Sequence, residues 1–183
     1  MPTTKHVTDL LHEQHEHIHE LFDRVLAAPN PARRQETFEE LRRYLAVHET
    51  AEELVIHPIA RAGVDGSTVV DDRVAEEDML KGLLAELDDI EVEDAAFTGK
   101  LENLHVQVRQ HIEYEEREEF PLIRNENDDA MQVQMARAIE AVEQVAPTRP
   151  HPTLGSGATS QLMVGPLASV LDRTKDAIAK VLG

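Results

Sequence analysis

The chain has no cysteine, no tryptophan, only two tyrosines and four phenylalanines in 183 residues, and no long apolar run. Without thiols, disulfides, thiolate zinc sites, iron–sulfur clusters and cysteine nucleophiles are excluded, so any metal must sit on nitrogen and oxygen. Nowhere do apolar residues continue for the roughly 20 positions a membrane span requires. The opening residues, Met1-Pro2-Thr3-Thr4-Lys5-His6, lack the apolar centre of a signal peptide. The expectation is a cytoplasmic protein with no membrane partner. Basic residues are scarce as well, 18 against 36 acidic ones, for a net charge of -18. Such a surface repels phosphate backbones, which argues against nucleic acid as a partner.

What is abundant is Ala, Leu, Glu and Arg, a composition that favours helices over strands and points to an all-α fold. The length suits one domain plus a tail. A first helix is expected over residues 8–27, ending at Pro29-Asn30-Pro31, where Asn30 caps and Pro31 starts the next helix. That second helix should reach residue 61, before the loop around Gly63 and Gly66. A third is expected over 69–93 and a fourth over 95–124. Short connections make an antiparallel four-helix bundle the simplest packing. A further helix at 129–145 carries Met131, Met135, Ile139 and Val142 at helical spacing and should pack on the outside of the bundle. This places the bundle and its appended helix within residues 1–146. Residues 147–183 read as a Pro/Gly/Ser-rich linker and a short amphipathic C-terminal helix.

An internal repeat carries the chemistry. Shifting the chain by 63 residues superposes Leu41 on Leu104, His48 on His111, Glu52-Glu53 on Glu115-Glu116, Pro58 on Pro121 and Arg61 on Arg124. A His and a Glu four apart lie about 40° apart on a helix, one turn along, so both reach one ion from one face. Such pairs also decorate solvated helices, and position on the helical wheel separates the two readings. His48 and Glu52 fall inside the stripe of Phe38, Leu41, Leu45, Val55 and Ile59, whereas Glu53 is turned about 100° away. Glu115 lies near the centre of the stripe of Phe97, Leu101, Leu104, Val108 and Ile112, with His111 at its edge. In the first helix His15 is the histidine nearest the apolar stripe. In the third, Glu77 sits among Val70, Val74, Leu80 and Leu84, one turn before Lys81, which offers it an alternative partner.

Six side chains thus point inward: His15, His48, Glu52, Glu77, His111 and Glu115. Buried carboxylates must be paired or bound to metal. Three imidazoles and three carboxylates exceed what one zinc takes and suit two iron ions, or manganese, bridged by carboxylate. A competing pattern, His15-Glu16-x-x-His19, matches the H-E-x-x-H zinc-protease form, but histidines crowd this helix and the match carries little weight. Pro58 and Pro121 each remove a helical hydrogen bond and should kink or end the helix beyond the metal layer.

With Leu10-Leu11-His12-Glu13-Gln14-His15, the two H-x3-E-E-x4-P boxes and Glu76-Glu77 in place, residues 7–125 resemble the hemerythrin family, specifically bacterial proteins with the HHE cation-binding domain. The resemblance implies a four-helix bundle with a non-haem di-iron centre, with His15, His48, Glu52, His111 and Glu115 at ligand positions. It further implies binding of, or reaction with, dioxygen, peroxide or nitric oxide, peroxide decomposition being one candidate activity. The alternative is a non-catalytic metal-binding or iron-storage module. Members of the family usually place a histidine where this chain has Glu77. The added carboxylate makes the centre harder and disfavours reversible oxygen carriage. His19, His57 and His105 are the reserve imidazoles.

Overall fold

A computed structural model of the chain describes residues 4–145, and every regular element among them is helical. Helix α1 (Val7–Leu26) is followed by α2 (Pro31–Ala51), which starts as expected: the Asn30 side chain accepts the Arg33 N–H at 2.9 Å, and Pro31 fills the first turn. Helix α4 (Gly66–Asp88) begins three residues earlier and stops five residues sooner than the apolar pattern indicates. Asp65 enters it at φ 61, in the left-handed region. A Cβ on Gly66 would lie 1.9 Å from the Ala60 carbonyl oxygen, so only glycine lets the chain turn this closely. Helix α5 (Ala95–Tyr114) is capped by the Asp94 carboxylate on the Ala96 N–H, and α7 (Asp129–Val145) by Asp128 on the Met131 N–H.

The prolines do not end their helices. Helix α2 widens into a π turn over Glu52–Ile56 and resumes as α3 (His57–Arg61), while α5 widens over Glu115–Glu119 and resumes as α6 (Phe120–Glu126). The His57 N–H bonds to the Glu52 carbonyl and that of Phe120 to the Glu115 carbonyl, each five residues back. A proline ring collides with the carbonyl four residues earlier in a regular α-helix, and an extra residue in the turn relieves the collision. Four long rods result, with α7 laid against α1, α2 and the first π turn.

The core is split in two. One apolar cluster holds Ile18, Phe22, Leu41, Leu87, Phe97 and Leu104, and the other holds Leu11, Val55, Ile56, Phe120, Ile123 and the α7 residues Met135, Ile139 and Val142. Between them, on all four rods, lies a layer of buried His and Glu. No helix among the described residues is long and apolar enough to cross a membrane. The linker and tail helix expected at 147–183 lie outside the described residues.

Candidate metal centre

All six inward residues read from the sequence are buried, none more than 3 % exposed. His15, His48, Glu52 and Glu115 form one group whose donor atoms lie within 4.8 Å of one another. Glu77 and His111 form a second group with Glu49. A third is made by His57, Glu119 and again Glu115. The centre is therefore larger than the sequence pattern indicates, by Glu49, His57 and Glu119.

The donor atoms face each other in pairs. His48 Nε2 lies 3.3 Å from Glu52 Oε2, and His111 Nε2 lies 3.1 Å from Glu115 Oε1, the two i,i+4 pairs of the repeat. His15 Nε2 is 3.4 Å from Glu115 Oε2 and 3.9 Å from Glu52 Oε1. His57 Nε2 is 3.3 Å from Glu77 Oε1 and 3.8 Å from Glu119 Oε2. Glu77 also realises its alternative: its other oxygen lies 3.4 Å from Lys81 Nζ. Glu53, turned outward as expected, pairs with the same lysine.

The opposite nitrogens are anchored. His15 Nδ1 donates to Glu116 Oε1, His48 Nδ1 to Gln14 Oε1 and His111 Nδ1 to Glu76 Oε2, each at 2.9 Å. Each acceptor fixes a proton on Nδ1 and turns Nε2 to the cluster, the arrangement that surrounds metal-bound histidine. Without metal, burial would lower His111, but Glu115 and Glu76 raise it well above its ordinary value, and it keeps a second proton on Nε2. His15 also stacks on Phe120, which holds its ring plane. Glu116 accepts from His15 and His12 and is held down to about 2, so it stays charged.

Facing the layer, His15 Nε2, His57 Nε2, His111 Nε2, Glu77 Oε1 and both Glu115 oxygens are buried without a hydrogen-bond partner, as is His57 Nδ1. Burial, reinforced by neighbouring carboxylates, pushes Glu49 up to about 7, Glu119 up to about 8 and Glu77 up to about 9, and lifts Glu52 well above its ordinary range. Burial likewise drives His48 down to about 3, so its imidazole is neutral. Glu115 goes the other way: burial would raise it, but the attraction of His111 prevails and holds it low. Burial thus keeps most of these carboxylates protonated near neutral pH, and buried lone-pair donors without hydrogen-bond partners fit a bound cation that would take the place of those protons.

Residues 6–123 match the model of the hemerythrin HHE cation binding domain. The chain belongs to this family. An uncharacterised hemerythrin-like protein of Schizosaccharomyces pombe is 23 % identical over 138 residues, 74 % of this chain and 68 % of that protein. The crystal structure of a hemerythrin HHE cation binding domain-containing protein from Mycobacterium kansasii superposes with a TM-score of 0.70 at 19 % identity, covering 97 % of this chain and 99 % of that one. That likeness speaks for the fold.

For a hemerythrin HHE chain, the reserve histidines sort clearly. His57 joins the layer, whereas His19 and His105 face each other at 3.3 Å with Phe22 stacked on His105, and neither belongs to the three buried groups. The zinc-protease pattern fails for the same reason, since His15 points into the layer and His19 does not share its group. His57 escaped the helical wheel because the π turn shifts its phase. On an unbroken α-helix it would stand about 140° from Glu52, and one extra residue in the turn reduces this to about 40°. Glu119 is signalled by its spacing, i+4 from Glu115 and i+8 from His111. Glu49 lies on the flank of the box, and Glu77 from α4 and His111 from α5 close around it.

Proposed function

We propose that this chain is a non-haem di-iron protein that binds or reacts with dioxygen, peroxide or nitric oxide. The observation that carries the reading is the placement of Glu115: one carboxylate oxygen faces His111 while the other faces His15, so a single carboxylate spans two donor sets. His15, His48 and Glu52 would hold one ion. His111 and Glu77, joined by His57 and Glu119, would supply donors to a second, and Glu115 would serve both sets. Glu52 faces His15 and His48, both in the first set, and would hold that ion with them.

Bound iron would supply one-electron redox chemistry towards these small molecules. The chain's own residues do the rest. The two apolar clusters exclude water from above and below the layer, which strengthens every electrostatic contact inside it. Glu76, Glu116 and Gln14 hold the Nδ1 protons and aim the Nε2 lone pairs. The carboxylate-rich donor set is hard and favours the ferric state, or manganese, over reversible oxygen carriage.

Elemental analysis of protein from iron-replete cells, with its optical spectrum, tests the reading. About two irons per chain and a near-ultraviolet ferric absorbance are expected, both lost in the His48→Ala/His111→Ala double variant. Protein that takes up no iron refutes it. The surplus carboxylates Glu49 and Glu119 favour a second reading, a non-catalytic iron-holding module. Multi-turnover removal of peroxide separates the two, because a store consumes only a stoichiometric amount.

A further inference from the structure

Helix α7 lies beyond the residues matched by the family model, yet it reaches the metal layer through one chain of hydrogen bonds. Gln14 Nε2 donates to Glu143 Oε1 at 2.6 Å, and Gln14 Oε1 accepts from His48 Nδ1 at 2.9 Å. Gln14 and His48 are both buried. Donor and acceptor roles then follow in order. Half-burial raises Glu143 above the ordinary carboxylate value; in its charged form it only accepts, so Gln14 turns its NH2 group to Glu143 and its carbonyl to His48. The imidazole must therefore donate from Nδ1, and its lone pair falls on Nε2, the nitrogen that faces Glu52.

Of the three anchored imidazoles, His15 and His111 rest directly on carboxylates, whose two oxygens are equivalent acceptors. His48 rests on a neutral amide, whose two ends have nearly the same shape and opposite polarity. Turned over, that amide would present a donor to Nδ1, favour the Nε2–H tautomer and remove the lone pair needed for a metal. Something has to choose the orientation.

We propose that Glu143 is a positioning residue of the metal centre: by locking the Gln14 amide it sets the tautomer of His48. The appended helix is thereby part of the site. Its Met135, Ile139 and Val142 anchor it in the same apolar cluster as Leu11 and Val55, which flank His15 and Glu52, so docking of α7 and readiness of His48 are linked. The inference rests on the reading of His48 as a ligand.

The test uses the full chain, metal-free, with long-range nitrogen–proton correlation of the histidine rings, followed by titration with Fe(II). In the unaltered chain His48 should show a protonated Nδ1 and an unprotonated Nε2. Glu143→Gln keeps the shape and packing of α7 but replaces an obligate acceptor by an amide that accepts either orientation. It should give a mixture of His48 tautomers and weaken Fe(II) binding by about 10-fold, the lower end of the loss seen when a metal-binding histidine loses its orienting partner. The double variant Gln14→Glu/Glu143→Gln puts a carboxylate on His48 and an amide behind it, and should restore both the tautomer and the affinity. A purely structural role for Glu143 would leave the tautomer unmoved. An unchanged His48 tautomer in Glu143→Gln, or no rescue in the double variant, overturns the proposal. An unaltered chain that binds no Fe(II) instead overturns the metal reading, and the tautomer comparison still decides the hydrogen-bond relay.

Discussion

His57 Nε2 stands 3.3 Å from Glu77 Oε1, a pairing that exists because the turn before Pro58 is one residue wider than an α turn. His57 thus supplies the fourth imidazole of the layer, and it does so next to Glu77. The repeat is asymmetric here, since the counterpart of His57 is Phe120, which packs on His15.

That asymmetry makes His57→Phe an informative variant, because it copies the other half of the repeat and keeps an aromatic ring in the core. Iron content should fall from about two towards one per chain, with the remaining ion held by His15, His48 and Glu52. Elemental analysis after dialysis against a weak chelator reads the result. Two tightly held ions in His57→Phe would remove His57 from the donor set.

The metal-free chain should grow less stable as pH rises from 7 to 9. A buried carboxylate whose folded value lies above its unfolded one stabilises the fold fully below the unfolded value, and that stability is lost as pH rises through the folded value. Glu119 and Glu77, pushed to about 8 and 9, lose theirs across this window, whereas Glu49, pushed to about 7, has lost most of its own between the ordinary carboxylate range and pH 7. His48 and Glu115, both held low, have completed their own titration at lower pH and do not compensate. Urea midpoints should drop by the equivalent of at least about 1 kcal/mol, a pKa unit being worth about 1.4 kcal/mol. Iron-loaded protein should show a flatter profile, since ligation takes the place of the proton. A metal-free chain equally stable at both ends of the range contradicts the prediction.

Gly66→Ala should destabilise the fold by about 1–3 kcal/mol or more, because the added methyl meets the Ala60 carbonyl at 1.9 Å and the backbone must shift. The effect should spread to the site, since Gly66 starts the helix that carries Glu76 and Glu77. Gly82→Ala, whose Cβ would meet nothing within 4 Å, serves as the control and should leave the midpoint unchanged or raise it. Equal midpoints for the two variants would show that the turn at Gly66 can relax.

The sequence by itself determined the helical fold, the repeat and the six inward residues His15, His48, Glu52, Glu77, His111 and Glu115. Helical periodicity is a local property, and polar residues inside an apolar stripe are visible without knowing what the stripe packs against. It also determined that any metal would rest on nitrogen and oxygen, because no cysteine exists. Only the tertiary structure decided the rest. The π turns shifted His57 into the layer, which a helical wheel assuming 3.6 residues per turn places elsewhere. The partners that orient the imidazoles come from other helices, Glu116 to His15, Glu76 to His111 and Gln14 to His48, and no spacing along the chain encodes which helices meet. The link from Glu143 to Gln14 spans 129 positions of sequence and exists only because α7 docks on α1. Side-chain identity set what each residue could donate or accept, and packing set to whom.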